Sequence, residues 1–150
     1  MELQITALEK GIVIDHLPSE RTFAVVKLLR LKNHGDVVTV ASNLTSRVMG
    51  KKGLIKIAGK TLSDSELAKI SLLAPNATVN IIENGAVVKK IPLELPVAVE
   101  ESVHCENPKC ISNNEAIVSR FEKVALHGEN AYKCTYCERV VPASALTLNL

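Results

Sequence analysis

The sequence predicts an α+β protein in two parts: a ferredoxin-like antiparallel sheet with helices on one face, then a small all-β zinc-ribbon-like domain. Three observations carry that expectation. Short β-branched runs alternate with helix-periodic segments up to about residue 90, Pro92 and Pro96 then interrupt the pattern, and all four cysteines fall between positions 105 and 137. The prolines hold the chain extended and remove backbone donors, as a connector would. The expected division is therefore residues 1–98 and 99–150.

The first part is read element by element. Gly11-Ile12-Val13-Ile14-Asp15 is short and β-branched, a strand signal. Pro18-Ser19-Glu20 opens a helix whose apolar stripe is Phe23, Val26 and Leu29, widened by Val25 and Leu28. Asn33-His34-Gly35-Asp36 ends it, and Val37–Val40 and Leu54–Ile57 follow as strands. Ser63-Asp64-Ser65-Glu66 has the capping-box pattern, in which a serine and a glutamate three residues on satisfy each other's backbone donors. The second helix so begun is stopped by Pro75. Strands at 78–83 and 86–90 are joined by Asn84-Gly85, a strong hairpin signal because both turn residues must adopt positive φ. The order β-α-β-β-α-β with an added strand is the ferredoxin-like one.

Composition removes several function classes. Hydrophobic residues make up 47% and charged residues 23% of the 150, the balance of a globular protein. Aromatics are 3% with no Trp, which disfavours the stacking platforms that grip single-stranded nucleic acid. A net charge of +2 argues for neither nucleic acid nor membrane binding. Met1–Thr6 lacks the basic start and apolar run of an export signal, and no apolar stretch has the length to span a bilayer. A cytoplasmic location is expected.

The cysteines are spaced Cys105-x4-Cys110 and Cys134-x2-Cys137, with twenty-three residues between the pairs. Two close thiol pairs on tight turns are what a tetrahedral Cys₄ zinc site requires. Two disulfides are the competing reading, less suited to a reducing compartment. His104 and His127 lie within or beside the cluster and are read as bystanders. Four thiolates leave no open position for water, so the zinc is structural rather than catalytic. A tail of about fifty residues is below the size at which a core alone suffices, so the metal carries much of its folding. Its strand candidates are Ala116–Val118, Val124–Leu126 and Val140–Val141.

Arg47, Lys51, Lys52, Lys56 and Lys60 fall within fourteen residues that contain no acid. In an extended chain Lys52, Leu54 and Lys56 share one face, with Ile55 and Ile57 toward the core. Such a face suits polyphosphate oxygens, and equally suits a solvated edge guarded by lysines. Lys89 and Lys90 would extend the positive surface. Asp15 and His16 are adjacent and on a regular strand would point to opposite sides. No nucleophile, open metal position or phosphate loop stands beside them, so an enzyme is not expected.

Several segments, in order, resemble the regulatory chains of aspartate carbamoyltransferase: Gly11–Pro18, Met49–Ile57, Leu73–Asn80, Cys105–Ile111 and Lys133–Glu138. The resemblance spans essentially the whole chain. It implies a non-catalytic allosteric subunit of pyrimidine biosynthesis, with CTP and ATP, and UTP as a further ligand, sharing one site in the N-terminal domain. That domain would form a homodimer, and the zinc domain would dock on the catalytic chain, three regulatory dimers bridging two catalytic trimers. The implied nucleotide-binding residues are Leu8, Val13, Asp15, His16, Lys52, Lys56, Asn80, Ile82, Val87 and Lys90, and the implied zinc ligands Cys105, Cys110, Cys134 and Cys137. Gly85 departs from the pattern, where a larger side chain would be expected near the base. The reading from another class is a zinc-ribbon nucleic-acid adaptor, which the cysteine pattern alone would also fit.

Overall fold

The computed structural model describes residues 8–150, so Met1–Thr6 lie outside the described residues. The chain forms two compact units that divide between Glu94 and Leu95, inside the proline-flanked connector. Among the described residues no helix is long and apolar enough to cross a membrane.

The N-terminal unit carries β1 (Gly11–Pro18), α1 (Thr22–Leu28), β2 (Val38–Ser46), β3 (Gly50–Ala58), α2 (Asp64–Leu73), β4 (Thr78–Glu83) and β5 (Ala86–Ile91). The sheet order is β2-β3-β1-β4-β5, and every pairing is antiparallel. This is the expected ferredoxin-like arrangement, with β1 central and β5 as the added strand. Ile12, Ile14, Ile55, Ile57 and Val79 alternate onto one sheet face and are all buried. Val25 of α1 and Ile70 of α2 are buried as well, so the apolar core is built from aliphatic side chains without Trp. The alternate residues Val13, Leu54, Lys56 and Asn80 are only half-buried on the opposite face.

The local signals are realised in detail. Ser63 Oγ accepts from the Glu66 N–H at 3.1 Å while Glu66 accepts from the Ser63 N–H at 3.2 Å, the full capping box of α2. Asn84 and Gly85 have φ of 51° and 76°, as a two-residue hairpin with both central residues left-handed demands. The Gly85 N–H also donates to the Glu9 carbonyl at 2.9 Å, which ties the hairpin turn to the segment before β1.

Three expectations are corrected. The first helix begins later, with a 3₁₀ turn over Ser19–Arg21, and its buried residues are Thr22, Val25 and Leu29 rather than the Phe23–Val26–Leu29 stripe. Phe23 is 64% exposed; the delay after Pro18 rotates the helix so that Thr22 takes the inward position. Lys89 stands opposite Ile81 and Lys90 opposite Asn80, so only Lys90 shares the face of Lys56. Residues 116–118 form no strand. Their backbone is held by other bonds, including Tyr136 Oη to the Val118 carbonyl at 2.8 Å.

The second unit has β6 (Ala98–Glu100), β7 (Val103–His104), α3 (Ile111–Asn114), β8 (Arg120–Leu126), β9 (Glu129–Cys134), β10 (Val140–Pro142) and β11 (Thr147–Leu148). A four-stranded sheet runs β10-β9-β8-β6, and β11 pairs with β7. Val99, Phe121, Ala131 and Tyr132 form its small core. Tyr132 reaches the Pro96 carbonyl at 2.7 Å, and its burial pushes the phenol up to about 12.

Gly53 allows β3 to pass against α1: a Cβ there would lie 1.8 Å from Thr22 Oγ1, on a side chain that is wholly buried. A Gly53→Ala substitution is expected to destabilise the N-terminal unit by about 1–3 kcal/mol through overpacking. Urea unfolding followed by circular dichroism will measure it, and Thr22→Ala in the same chain should recover part of the loss.

Candidate functional sites

Two constellations stand out, one in each unit. The first is built on β1. Between Ile14 and Leu17 the pairing of β1 with β3 shifts register, and His16 adopts φ of 58°. Such a bulge inserts a residue and re-aims its side chain. Asp15 lies opposite Thr78 of β4, and the His16 ring meets Thr78 Oγ1 at 3.2 Å through Nδ1. Asp15 and His16 therefore converge on one side of the strand, against the opposite-sides expectation. They do not form a side-chain pair. Asp15 accepts instead from the His16 backbone N–H at 2.6 Å and joins Lys52 Nζ at 2.9 Å.

Burial by itself would raise the pKa of the Asp15 carboxyl, but Lys52 and the His16 N–H outweigh it, so the carboxyl is held below its ordinary value. The cluster is thus a preformed ion pair rather than an acid-base couple near neutrality.

From this cluster a polar row crosses the sheet. Thr39, Lys56, Val13, Asn80 and Lys90 stand opposite one another on five successive strands, so their side chains project from a common face. Asn80 Oδ1 is buried and has no hydrogen-bond partner among the described residues. Ile82 lies two residues beyond Asn80, on the same face by strand alternation, opposite both Gly11 and, through a register shift in the β4–β5 pairing, Val87. Ile82 is buried and Val87 half-exposed, while Leu8, just before β1, is half-buried. Thr78 and Thr39 were not singled out from sequence; only the pairing register brings them to this face.

The second constellation is the cysteine cluster. Cys105 follows β7, Cys110 caps α3, and Cys134 ends β9 with Cys137 in the turn beyond. The four sulfurs lie within 4.8 Å of one another. Cys105–Cys137 and Cys110–Cys134 are each 3.7 Å apart. A tetrahedron of sulfurs about 2.3 Å from a central zinc has edges of about 3.8 Å, so the thiols fit that ion. They are unpaired as disulfides, whose sulfurs would be about 2 Å apart. Neither His104 nor His127 belongs to the cluster.

The surroundings are matched to thiolates. Burial pushes the Cys105 thiol up to about 12 and raises Cys134 also, so ionising these two groups without a cation is unfavourable. At Cys137 burial is outweighed by the Arg139 N–H, with Asn107 and the neighbouring thiols, and the group falls to about 7. Backbone N–H groups of Asn107, Tyr136 and Cys137 are likewise directed at the sulfurs of Cys105 and Cys134. Such outer hydrogen bonds orient ligands and stabilise their charged form. The four thiols fit one structural zinc ion and would supply all four of its ligands.

Comparison with known proteins fits this division. The family model described as the aspartate carbamoyltransferase regulatory chain, allosteric domain, matches residues 3–94, and that of its metal binding domain matches residues 97–146. An aspartate carbamoyltransferase regulatory chain from Thermococcus onnurineus is 41% identical over 150 residues, covering 99% of both chains. One from Parabacteroides distasonis is 43% identical over 140 residues, covering 93% of this chain and 90% of the other.

Two outcomes follow from this geometry. Metal analysis should return one zinc per chain, and Cys110→Ser or chelation should abolish the fold of the second unit while sparing the first, as resolved by amide exchange. The lowered Asp15 carboxyl contributes stability that is present above its unfolded value of about 3.9 and is lost as pH falls through its folded value. The stability gap between the wild type and Asp15→Asn should therefore close as acid is added below about pH 4, which paired urea titrations will reveal.

Proposed function

The chain belongs to the family of aspartate carbamoyltransferase regulatory chains, and from that premise we propose that its N-terminal unit binds CTP and ATP competitively, with UTP as a further ligand. It is a regulatory rather than catalytic chain, with an allosteric and a metal-binding domain, and its partner is a catalytic chain. We infer the domains as residues 1–98 for nucleotide binding and 99–150 for zinc and for docking on the catalytic chain. The regulated step would be the entry to pyrimidine synthesis, in the cytoplasm.

The observation that carries the nucleotide reading is the cross-strand row, in which a buried acceptor waits between two cations. Asn80 Oδ1 is without a partner among the described residues, a state that costs about 1–3 kcal/mol unless a donor arrives. A ribose hydroxyl or exocyclic amine supplies such a donor. Lys56 and Lys90 flank Asn80 at two strands' and one strand's distance respectively and offer charge-assisted bonds to phosphate oxygens. Asp15, His16 and Lys52 lie beside the middle of the row, further along β1 and β3, and Leu8, Val13, Ile82 and Val87 supply apolar area for a base. In this reading Cys105, Cys110, Cys134 and Cys137 are the zinc ligands and no residue is catalytic.

Effector control then needs only that nucleotides bind two quaternary states unequally. We infer a homodimer through the N-terminal unit, three such dimers bridging two catalytic trimers. The support is the contrast between the sheet's edges: β5 carries Lys89 and Lys90, whereas β2 (Val38–Ser46) has no charged residue. A charge-free edge is open to pairing with a second copy. A nucleic-acid adaptor has no comparable support.

Lys56→Ala or Lys90→Ala should each weaken CTP and ATP binding roughly ten- to a hundredfold, the loss of a charge-assisted bond of about 1.5–3 kcal/mol. Zinc content and assembly with catalytic trimers should not change. Calorimetric titration and dose curves on the assembled enzyme measure both, and wild-type responses in both variants would refute the assignment. Sedimentation of the regulatory chain alone should give a dimer at micromolar concentration; a monomer would remove the β2 pairing.

A further inference from the structure

We propose that Asn113 is a positioning residue of the zinc centre, fixing the first cysteine loop through both donors of its side-chain amide. The Cys105–Cys110 loop has four intervening residues and the Cys134–Cys137 turn two. The longer loop has more conformational freedom to lose when its two sulfurs are brought to one ion.

The short turn is closed by main chain alone. Glu138 N–H donates to the Cys134 carbonyl and Cys134 N–H to the Arg139 carbonyl, each at 2.9 Å. In the longer loop the described main-chain closure is a single bond, Cys110 N–H to the Asn107 carbonyl at 3.0 Å. Further restraint comes from Asn107 Oδ1, which accepts from the Lys109 N–H at 3.0 Å, and from two consecutive asparagines at the end of α3. Asn113 Nδ2 donates to the carbonyls of Cys105 at 2.7 Å and Asn107 at 2.8 Å. Asn114 Nδ2 donates to those of Pro108 at 3.0 Å and Cys110 at 2.9 Å.

An amide group has two N–H donors, and Asn113 commits both to the stretch that bears Cys105. The two acceptors are carbonyls, so the rotated amide would set its own oxygen against them. Within the bracketed stretch the Asn107 N–H is directed at the Cys105 sulfur. Asn113 thus fixes the approach of one ligand and of the donor that orients it. Asn113 itself is exposed, outside the Val99, Phe121 and Tyr132 core, so its substitution acts on the loop rather than on packing.

The test uses the full-length zinc-loaded chain with Asn113→Leu, Asn113→Asp and, as a control, Tyr132→Phe, which removes a buried hydrogen bond remote from the loop. Asn113→Asp keeps the size but replaces two donors with an anion facing two carbonyls. Zinc transfer to a colorimetric chelator and the visible spectrum of the Co²⁺-substituted chain are recorded for each. Both Asn113 variants should release zinc roughly ten- to a hundredfold faster, the usual effect of losing an outer-shell partner, and should shift the cobalt d–d bands. Tyr132→Phe should lower thermal stability and leave the cobalt spectrum as in the wild type. Release within about twofold of wild type in both Asn113 variants, or faster release with an unchanged cobalt spectrum, would overturn the proposal. Should Asn113→Leu not fold, Asn113→Asp decides on the same two readings.

Discussion

Strand β1 is hydrogen-bonded along both edges, to β3 and to β4, and the N-terminal unit is organised around that double obligation. A strand paired on both sides cannot shift register without exposing its apolar face. Ile12 and Ile14 are therefore committed inward, and Val13 is committed to the opposite face between Lys56 and Asn80. The bulge at Asp15–His16 sits where β1 leaves this double constraint. Irregularity is affordable there because the ladder is ending, and it turns two consecutive polar side chains toward one place.

The second unit answers to a different constraint. Its core is small, built around Phe121 and Tyr132, and its secondary structure is mostly short strands and turns. Four sulfurs gathered within one coordination sphere tie β7, α3 and the end of β9 together. Ionising Cys105 and Cys134 in this buried place is costly, as their raised values record. Zinc offsets that cost, because a dication satisfies thiolates that protons and water would otherwise have to serve. The folding of this unit and its metal content are one equilibrium.

Placing the two sites in separate units has a functional consequence. The polar row of the first unit is a surface of side chains on one face of a sheet whose other face carries the buried isoleucines. The zinc centre is closed and has no position for an exchanging ligand. One unit is thus suited to reversible binding and the other to holding a fixed shape, the division expected of a chain that carries a signal to a catalytic partner rather than performing chemistry itself.

The sequence by itself determined the two-part organisation, the strand and helix order, the capping box, the Asn84-Gly85 turn and the four-thiol centre. These depend on local propensity, on backbone positions that only certain residues adopt, and on ligand chemistry, all of which act over a few residues. Only the tertiary structure decided which polar residues meet. Lys89 and Lys90 are equivalent in sequence, yet pairing with β4 sends one to each face. Asp15 and His16 share a side because of a bulge that no residue type announces, and Thr78 joins them from sixty-two residues away. Thr22 rather than Phe23 fills the core because the helix starts a turn late against Gly53. Register, bulge and helix phase are fixed by how elements fit against one another, and a pattern of neighbouring residues does not contain that information.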